Sequence, residues 1–160
     1  MTKTQVIRIL ESQRVKHFIH DYDVSDGAVS GIQVATKLGI EPERVFKTLV
    51  TVGRSNDLYV FVIPSNTELD LRKAATAAGV KAIEMLKQHD LVNRTGYEHG
   101  GCSPFGMKKL YPTYIEETAL LFEAICISGG RIGLQVELSP EVLASLTKAI
   151  FCDLIHKMPL

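Results

Sequence analysis

Apolar residues recur at two spacings along the chain, and together they predict helices interspersed with strands. Helical spacing covers residues 4–14, and capping residues introduce further helices over Ser30–Leu38, Leu71–Ala78 and from Ser139 to about Ala149. Strand patterns cover residues 17–23, 45–52, 58–63, 113–115, 124–128, 132–138 and 150–155. The order of these segments indicates a mixed α/β fold.

Glycine and proline residues mark the ends of several predicted elements. Gly39 and Gly79 each follow a predicted helix, the position at which a glycine commonly ends one. The links at residues 53–57 and at Gly129-Gly130 are short enough for hairpins, so at least part of the sheet is antiparallel. No repeat or linker interrupts the pattern, and we expect one domain over residues 1–160.

The bulk composition narrows the class of protein. The chain has 160 residues, of which 46% are hydrophobic and 22% charged, as in ordinary globular domains. Because 18 basic and 18 acidic residues cancel, a nucleic-acid partner would have to be held by a local patch or pocket, or presented by another protein. The three cysteines and five histidines lack CxxC or HExxH spacing, so neither a disulfide framework nor a metal site is expected. No signal peptide or membrane span is visible, which favours a cytoplasmic protein.

Lys47 is the first candidate for a functional residue. It lies in the apolar run VFKTLV (45–50), where strand alternation places it on the same face as Val45 and Leu49. A desolvated lysine on such a face can hold a phosphate, carboxylate or carbonyl. The pattern alone favours the ordinary alternative, a strand lysine whose stem packs while its ammonium group reaches water.

A glycine-rich segment, GYEHGGCSPFG, spans Gly96–Gly106. Its glycines and proline indicate unusual backbone angles or close approach to a ligand, and successive N–H groups in such a loop can converge on a carbonyl oxygen or phosphate. It matches neither a Walker A loop nor a dinucleotide-binding motif. From the pattern alone, a ligand-binding loop and a plain surface loop remain equally open.

Within this loop, Cys102 and His99 raise the question of a nucleophilic cysteine. A thiolate nucleophile needs a nearby base that is oriented by a third group, and no third group is evident here. The pattern therefore does not favour Cys102 as a nucleophile. Turn chemistry likewise favours a simple hairpin at Ser128–Arg131 over an anion-binding turn.

Taken together, four segments resemble the YbaK/EbsC family of freestanding tRNA-editing enzymes, which are related to the editing domain of bacterial prolyl-tRNA synthetases. The segments are VFKTLV (45–50), GYEHGGCSPFGMKK (96–109), PTYIEETA (112–119) and SGGRIGLQVEL (128–138). The resemblance runs from about Val15 to Asp153 and is strongest for Cys-tRNA(Pro) deacylases. It implies a curved, largely antiparallel, barrel-like sheet flanked by helices.

The resemblance also implies a set of site residues. Lys47 matches the family's essential lysine, and Gly100 and Gly101 fall nearest the scissile ester. We expect N–H groups of the loop, including that of Gly101, to hold the carbonyl oxygen of that ester. Substrate contacts are expected at Tyr22, Ser30, Gly96, Gly100, Cys102, Ser103, Pro104, Ser128, Gly129 and Gln135. Ser30 and Gln135 depart from the bulky apolar and acidic residues that some members carry, so they bear on amino-acid specificity.

The activity implied is the removal of cysteine from the 3′ end of mischarged tRNA(Pro), and also from Cys-tRNA(Cys), without metal or other cofactor. The substrate's own thiol would attack its activated ester, a step that gains from enforced proximity. The partners expected are the 3′ end of aminoacyl-tRNA and prolyl-tRNA synthetase. Two alternatives stay open: an editing deacylase for Ala- or Ser-tRNA that uses water, and a noncatalytic tRNA- or nucleotide-binding module.

Overall fold

The structure, a computed structural model, describes residues 3–156. Within this range the chain forms five α-helices and eight strands. The helices are α1 (Gln5–Ser12), α2 (Gly31–Leu38), α3 (Leu71–Ala78), α4 (Gln88–Thr95) and α5 (Pro140–Thr147). The strands are β1 (Phe18–Asp21), β2 (Phe46–Gly53), β3 (Leu58–Pro64), β4 (Ile83–Met85), β5 (Thr113–Glu116), β6 (Ile125–Ser128), β7 (Leu134–Leu138) and β8 (Ile150–Cys152). Short 3-10 helices lie at Pro42–Arg44 and Glu117–Leu121.

Side-chain caps fix the start of the helices that the sequence predicted. The Ser30 hydroxyl accepts from the N–H of Gln33, while the Gln33 side chain accepts from the N–H of Ser30, so α2 begins with a complete capping box. Asp70 accepts two N–H groups from the first turn of α3, and Ser139 caps α5. Gly39 ends α2 in the left-handed conformation, as predicted.

Two elements were not predicted, and two others end earlier than predicted. Strand β4 and helix α4 were not predicted, because β4 has only three residues and α4 buries only Leu91 and Thr95. Helix α5 ends at Thr147 because Lys148 takes a left-handed conformation with φ of 57°. Strand β8 stops at Cys152, and Ile155 instead forms an isolated bridge with Leu69.

The strands form two sheets. The first has the order β1-β7-β6 and is antiparallel throughout. The second has the order β4-β2-β3-β5-β8, with antiparallel pairing around β2 and parallel pairing of β3 with β5 and of β5 with β8. The largely antiparallel, mixed α/β fold is therefore confirmed.

The two sheets meet at the start of β2, where Val45 forms a parallel bridge with Cys126. Their remaining edges do not join within residues 3–156, so the curvature stops short of a closed barrel. The largest apolar core contains residues of both sheets together with α1 and α5, and α2 packs Val34 and Ala35 against Val45 and Cys126. In the part of the chain described, no helix has the length and apolar content needed to span a bilayer.

Candidate functional site

A cavity of about 480 Å³ lies where the two sheets diverge from their common bridge. One wall is β2 and the other is the β6–β7 hairpin. The start of α2, the glycine loop and residues from the end of β4 to α4 also contribute to the lining. A pocket of this size can take part of a small ligand. Seven of the residues predicted for the site line this cavity: Tyr22, Ser30, Lys47, Gly100, Cys102, Ser128 and Gln135.

Lys47 provides the positive charge of the cavity's β2 wall. Its backbone pairs with Ile63 of the adjacent strand β3, and its side chain is half-buried. Burial lowers the pKa of the ammonium group, and the charge of Glu68 opposes that shift only in part. Among the described residues, no hydrogen bond or ion pair engages the Lys47 ammonium group, so its charge is available to a ligand.

The glycine loop is folded inward rather than spread over the surface. Gly96 ends α4 with φ of 89°, and the Tyr97 hydroxyl donates to the carbonyl oxygen of Phe105 at 2.7 Å, which closes the loop. Residues 101–105 are all buried as a result. Gly100 and Cys102 reach the cavity, whereas Gly96, Gly101, Ser103 and Pro104 do not line it.

Gly101 has a role different from the expected one. Its N–H donates to the carbonyl oxygen of Glu98 at 3.0 Å, so the group that was expected to hold the ester oxygen is already bonded. A Cβ atom at this position would lie 2.9 Å from the backbone nitrogen of Ile132 and 3.0 Å from Cα of Arg131. Gly101 therefore allows the loop to pack against the backbone that follows β6.

The N–H groups of Gly100 and Cys102, on either side of Gly101, make no hydrogen bond to an acceptor within residues 3–156. Both residues line the cavity. Free backbone donors at a site wall are suited to a carbonyl oxygen that gains negative charge during a reaction. These two groups replace the N–H of Gly101 as candidate oxyanion donors.

The β6–β7 hairpin supplies the opposite wall, and it confirms the predicted turn at Ser128–Arg131. Ser128 and Gln135 are partners in the strand register, and both face the cavity. The Ser128 hydroxyl accepts from the N–H of Gly130, whereas the buried Oε1 of Gln135 has no hydrogen-bond partner. Gly129 lies outside the cavity lining, and its N–H pairs with the carbonyl oxygen of Leu134.

Ser30 and Tyr22 line the cavity while also serving the fold. The Ser30 hydroxyl oxygen accepts the capping N–H of Gln33, and its O–H remains able to donate to a ligand. Tyr22 follows β1, and its ring faces the Lys37 ammonium group at 5.9 Å from the ring centroid, within the range of a cation–π contact. Tyr22 thus forms part of the cavity wall and also contacts Lys37 of α2.

Cys102 is unsuited to nucleophilic attack at neutral pH. Its side chain is only 7% exposed, and burial raises the pKa of the thiol to about 12. His99 also lines the cavity, but among the described residues it makes no hydrogen bond to Cys102. The structure supports the prediction that Cys102 is a lining residue.

Two features of the site were missed in the sequence. The hydroxyl oxygen of Thr48 is buried beside the cavity without a partner, and nothing in the strand pattern distinguished it. Gly31 packs so closely on Ser65 that a Cβ atom would lie 2.4 Å from that of the serine, which holds the start of α2 at the cavity. The contact joins distant parts of the chain, so local spacing gives no signal for it.

One group of potential metal ligands lies outside the cavity. The ligand atoms of His20, Cys126 and Glu137 lie within 4.8 Å of one another. Both carboxylate oxygens of Glu137 are already engaged, one by His20 Nε2 at 2.8 Å and the other by Arg44 at 3.0 Å. The charge of Arg44 opposes the approach of a cation, so the geometry favours a hydrogen-bonded cluster.

Comparisons with known proteins show to which family the chain belongs. The aminoacyl-tRNA editing domain family matches residues 27–146. The chain is 47% identical over 155 residues to EbsC of Enterococcus faecalis, whose name is that of a Cys-tRNA(Pro)/Cys-tRNA(Cys) deacylase, with 97% of this chain and 94% of EbsC covered. A proline–tRNA ligase of Shouchella clausii is 29% identical over 101 residues, covering 63% of this chain and 18% of the ligase.

A solved structure also shares the fold. A crystal structure described as a trans-editing enzyme for prolyl-tRNA synthetase superposes with a TM-score of 0.84 at 24% identity, covering 98% of this chain and all of that one. At this identity the likeness concerns the fold alone. The sequence match over most of the chain is decisive: the chain belongs to the aminoacyl-tRNA editing domain family, as its resemblance to YbaK/EbsC proteins led us to expect.

Proposed function

We propose that this protein deacylates mischarged aminoacyl-tRNA, with Cys-tRNA(Pro) as its main substrate and Cys-tRNA(Cys) as a second one. The observation that carries the proposal is the unpaired ammonium group of Lys47 in a cavity whose opposite wall includes Gln135, a residue with a buried, unpartnered Oε1. The first group suits a phosphate or ribose oxygen of the terminal adenosine. The second suits the α-ammonium group of the amino acid.

In this proposal the reaction requires no nucleophile from the protein. The cysteine thiol of the substrate, as thiolate, forms a bond from sulfur to the ester carbonyl carbon. The bond from that carbon to the 3′ oxygen of the tRNA then breaks, and the 3′ oxygen takes up the proton that the thiol released. The products are free tRNA and a cyclic thioester of cysteine.

The protein's contribution is position and charge stabilisation. We assign to the free N–H groups of Gly100 and Cys102 the stabilisation of the oxygen that becomes negative as sulfur attacks. Lys47 holds the adenosine end while Ser128 and Gln135 hold the amino-acid end, which keeps thiol and carbonyl together. The high pKa of Cys102, which leaves the thiol protonated, is consistent with a lining role.

The net charge of the chain bears on how the protein selects its tRNA. With 18 basic and 18 acidic residues, the chain lacks the positive excess that supports tight autonomous binding of tRNA. We therefore propose that association with prolyl-tRNA synthetase supplies selectivity for tRNA(Pro). Tight, selective binding of tRNA(Pro) that is unaffected by the synthetase would contradict this part of the proposal.

The test is deacylation of Cys-tRNA(Pro) by the wild type and by Lys47→Ala, with Lys81→Ala as a matched control because Lys81 is exposed and lies outside the cavity. We expect Lys47→Ala to lose at least about 100-fold in kcat/KM, and Lys81→Ala to retain the wild-type value. Full activity of Lys47→Ala would refute the assignment of Lys47.

Specificity is tested with the same assay and a panel of substrates. Cys-tRNA(Pro) with an alkylated thiol should resist cleavage, because the attacking sulfur is blocked. Comparable hydrolysis of Ala-tRNA(Pro) or Ser-tRNA(Pro) would indicate water as the nucleophile. Binding of tRNA without turnover of any substrate would indicate a noncatalytic module.

A further inference from the structure

Arg44 connects the two sheets at the junction where the cavity begins. It is the last residue of the 3-10 helix Pro42–Arg44 and lies three positions before Lys47. Its Nη2 donates to Oε2 of Glu137 at 3.0 Å, and its Nε donates to the carbonyl oxygen of Ala124 at 3.3 Å. Both acceptors belong to the β6–β7 side of the junction, whereas Lys47 belongs to the other sheet.

Glu137 gathers further contacts on the same carboxylate. Its second oxygen accepts from His20 Nε2 at 2.8 Å. This hydrogen bond also connects strand β1 to the Glu137 carboxylate. Glu137 lies two residues after Gln135 on β7, and strand alternation puts both on one face. The carboxylate that binds Arg44 is therefore rigidly connected to the cavity wall that carries Gln135.

Backbone pairing alone connects the sheets weakly. Within residues 3–156 the Val45–Cys126 bridge is the one backbone pairing between them. Arg44 adjoins Val45, so its two hydrogen bonds brace this bridge from one side. The Arg44 and Glu137 side chains are 26% and 19% exposed, which limits screening by solvent and strengthens their charged hydrogen bond.

We propose that Arg44 and Glu137 form a positioning pair that sets the separation between Lys47 and the wall formed by Ser128 and Gln135. Neither residue lines the cavity, so neither would touch the substrate. Loss of the pair would leave the sheets joined but allow the walls to shift. The activity part of this inference rests on the proposed function, since it assumes that both walls hold the same ester.

A metal site at His20, Cys126 and Glu137 is the competing explanation for the cluster. It is less favoured because Arg44 occupies one carboxylate oxygen and Cys126 is fully buried beside Val34 and Ala35. Zinc analysis of the purified protein decides between the two. About one bound zinc per chain that is lost in His20→Ala would overturn the positioning pair.

The main experiment compares Arg44→Ala with Arg94→Ala. Arg94 is a matched control because it also donates to a backbone carbonyl and a side-chain oxygen, both in Asn56, but it does not connect the sheets. We expect Arg44→Ala to lower kcat for Cys-tRNA(Pro) by about 10- to 100-fold with little change in KM, because the reacting groups are misplaced rather than removed. Millimolar guanidinium should restore part of kcat in Arg44→Ala, while Arg94→Ala stays near wild type.

A second readout does not depend on deacylation. Acylation of Lys47 by an amine-directed reagent is followed across pH by mass spectrometry, with exposed Lys81 as the internal reference. In Arg44→Ala the pH profile of Lys47 should move to higher pH, because a loosened cavity admits water around the ammonium group and relieves the burial that lowers its pKa. Arg94→Ala should leave the profile of Lys47 in place.

The outcomes separate this inference from the proposed function. Inactivity of the wild type towards every aminoacyl-tRNA, together with the shifted Lys47 profile in Arg44→Ala, would reject the function and support the pair. Wild-type kcat and an unchanged Lys47 profile in Arg44→Ala would reject the pair. If Arg44→Ala does not fold, Arg44→Lys and Glu137→Gln replace it, and equal kcat in both and in wild type would also reject the pair.

Discussion

Gly101 lies so close to Ile132 that a Cβ atom on the glycine would approach the isoleucine backbone nitrogen to 2.9 Å. The obstacle is backbone rather than the end of a flexible side chain, so it cannot move aside cheaply. This close approach packs the glycine loop against the segment that follows β6. It also holds in place Gly100 and Cys102, the cavity-lining residues whose N–H groups are the candidate oxyanion donors.

Gly101→Ala should therefore impair both stability and activity. Overpacking predicts a loss of about 1–3 kcal/mol in the free energy of unfolding, and the shifted loop should lower kcat about tenfold or more. Urea denaturation and deacylation assays measure the two effects. Gly79→Ala is the control: it is strained by φ of 70° but meets no atom within 4 Å, so it should lose about 1 kcal/mol without losing activity. Wild-type behaviour of Gly101→Ala would disprove the packing argument.

The pH dependence of deacylation should show the lowered pKa of Lys47. Below that pKa the ammonium group is charged and, in the proposed function, binds the adenosine end. As the pH rises through the pKa of Lys47, the ammonium group loses its charge, and the activity that depends on this charge is lost. On the acidic side the rate should rise with ionisation of the substrate thiol, whose pKa is about 8.5. Lys47→Arg keeps its charge, so its remaining activity should lack the alkaline decline. If the activity of Lys47→Arg declines at the same alkaline pH as that of the wild type, another group is responsible for the decline.

Cys102→Ala should retain kcat within about threefold of wild type, since loss of a true nucleophile costs about 10⁴-fold or more. The raised pKa, about 12, also predicts that iodoacetamide at neutral pH leaves activity intact. Cys152→Ala serves as the control for general effects of removing a cysteine, because Cys152 is half-buried in β8 and outside the cavity. A severe loss confined to Cys102→Ala would restore this residue as the nucleophile.

Gln135→Leu should separate binding from stability. Removing an amide that accepts a hydrogen bond from the substrate should raise KM about tenfold, the effect of roughly 1.4 kcal/mol. The free energy of unfolding should be equal to that of wild type or higher, because the buried Oε1 lacks a partner in the protein itself. Steady-state kinetics and urea denaturation test both parts, with exposed Gln13→Leu as the control. An unchanged KM would remove Gln135 from the substrate site.

Much of the fold was predictable because its signals are local. Ser30, Gly39, Asp70 and Ser139 mark helix ends through contacts with their own neighbours in sequence, and the structure confirms all four. Helix α4 was missed because its apolar face is narrow. The parallel pairing of β5 with β3 and β8 involves distant segments, and strand periodicity carries no information about that order.

The same distinction between local and long-range signals applies to the site. Lys47 and the glycine loop were recognised through short motifs, and the cavity does bring Lys47, Gly100 and Cys102 together. The hydrogen bond from the Gly101 N–H to Glu98 could not be predicted, because it depends on how the loop folds back on itself. The contacts of Arg44 could not be predicted for a different reason. Its partners Ala124 and Glu137 are distant from Arg44 in the sequence, so no local pattern indicates them.

The separate origin of the two cavity walls has a consequence for protein engineering. Lys47 stands on a strand whose neighbours β3 and β4 belong to one sheet, whereas Ser128 and Gln135 stand on a hairpin of the other. Under the proposed function, libraries confined to Ser128 and Gln135, with Glu137 kept, are expected to change the amino acid that is accepted while the strand that carries Lys47 stays intact. Selectivity for the amino acid and binding of the adenosine are then adjusted on separate sheets, and the Arg44–Glu137 pair is the contact to preserve between them.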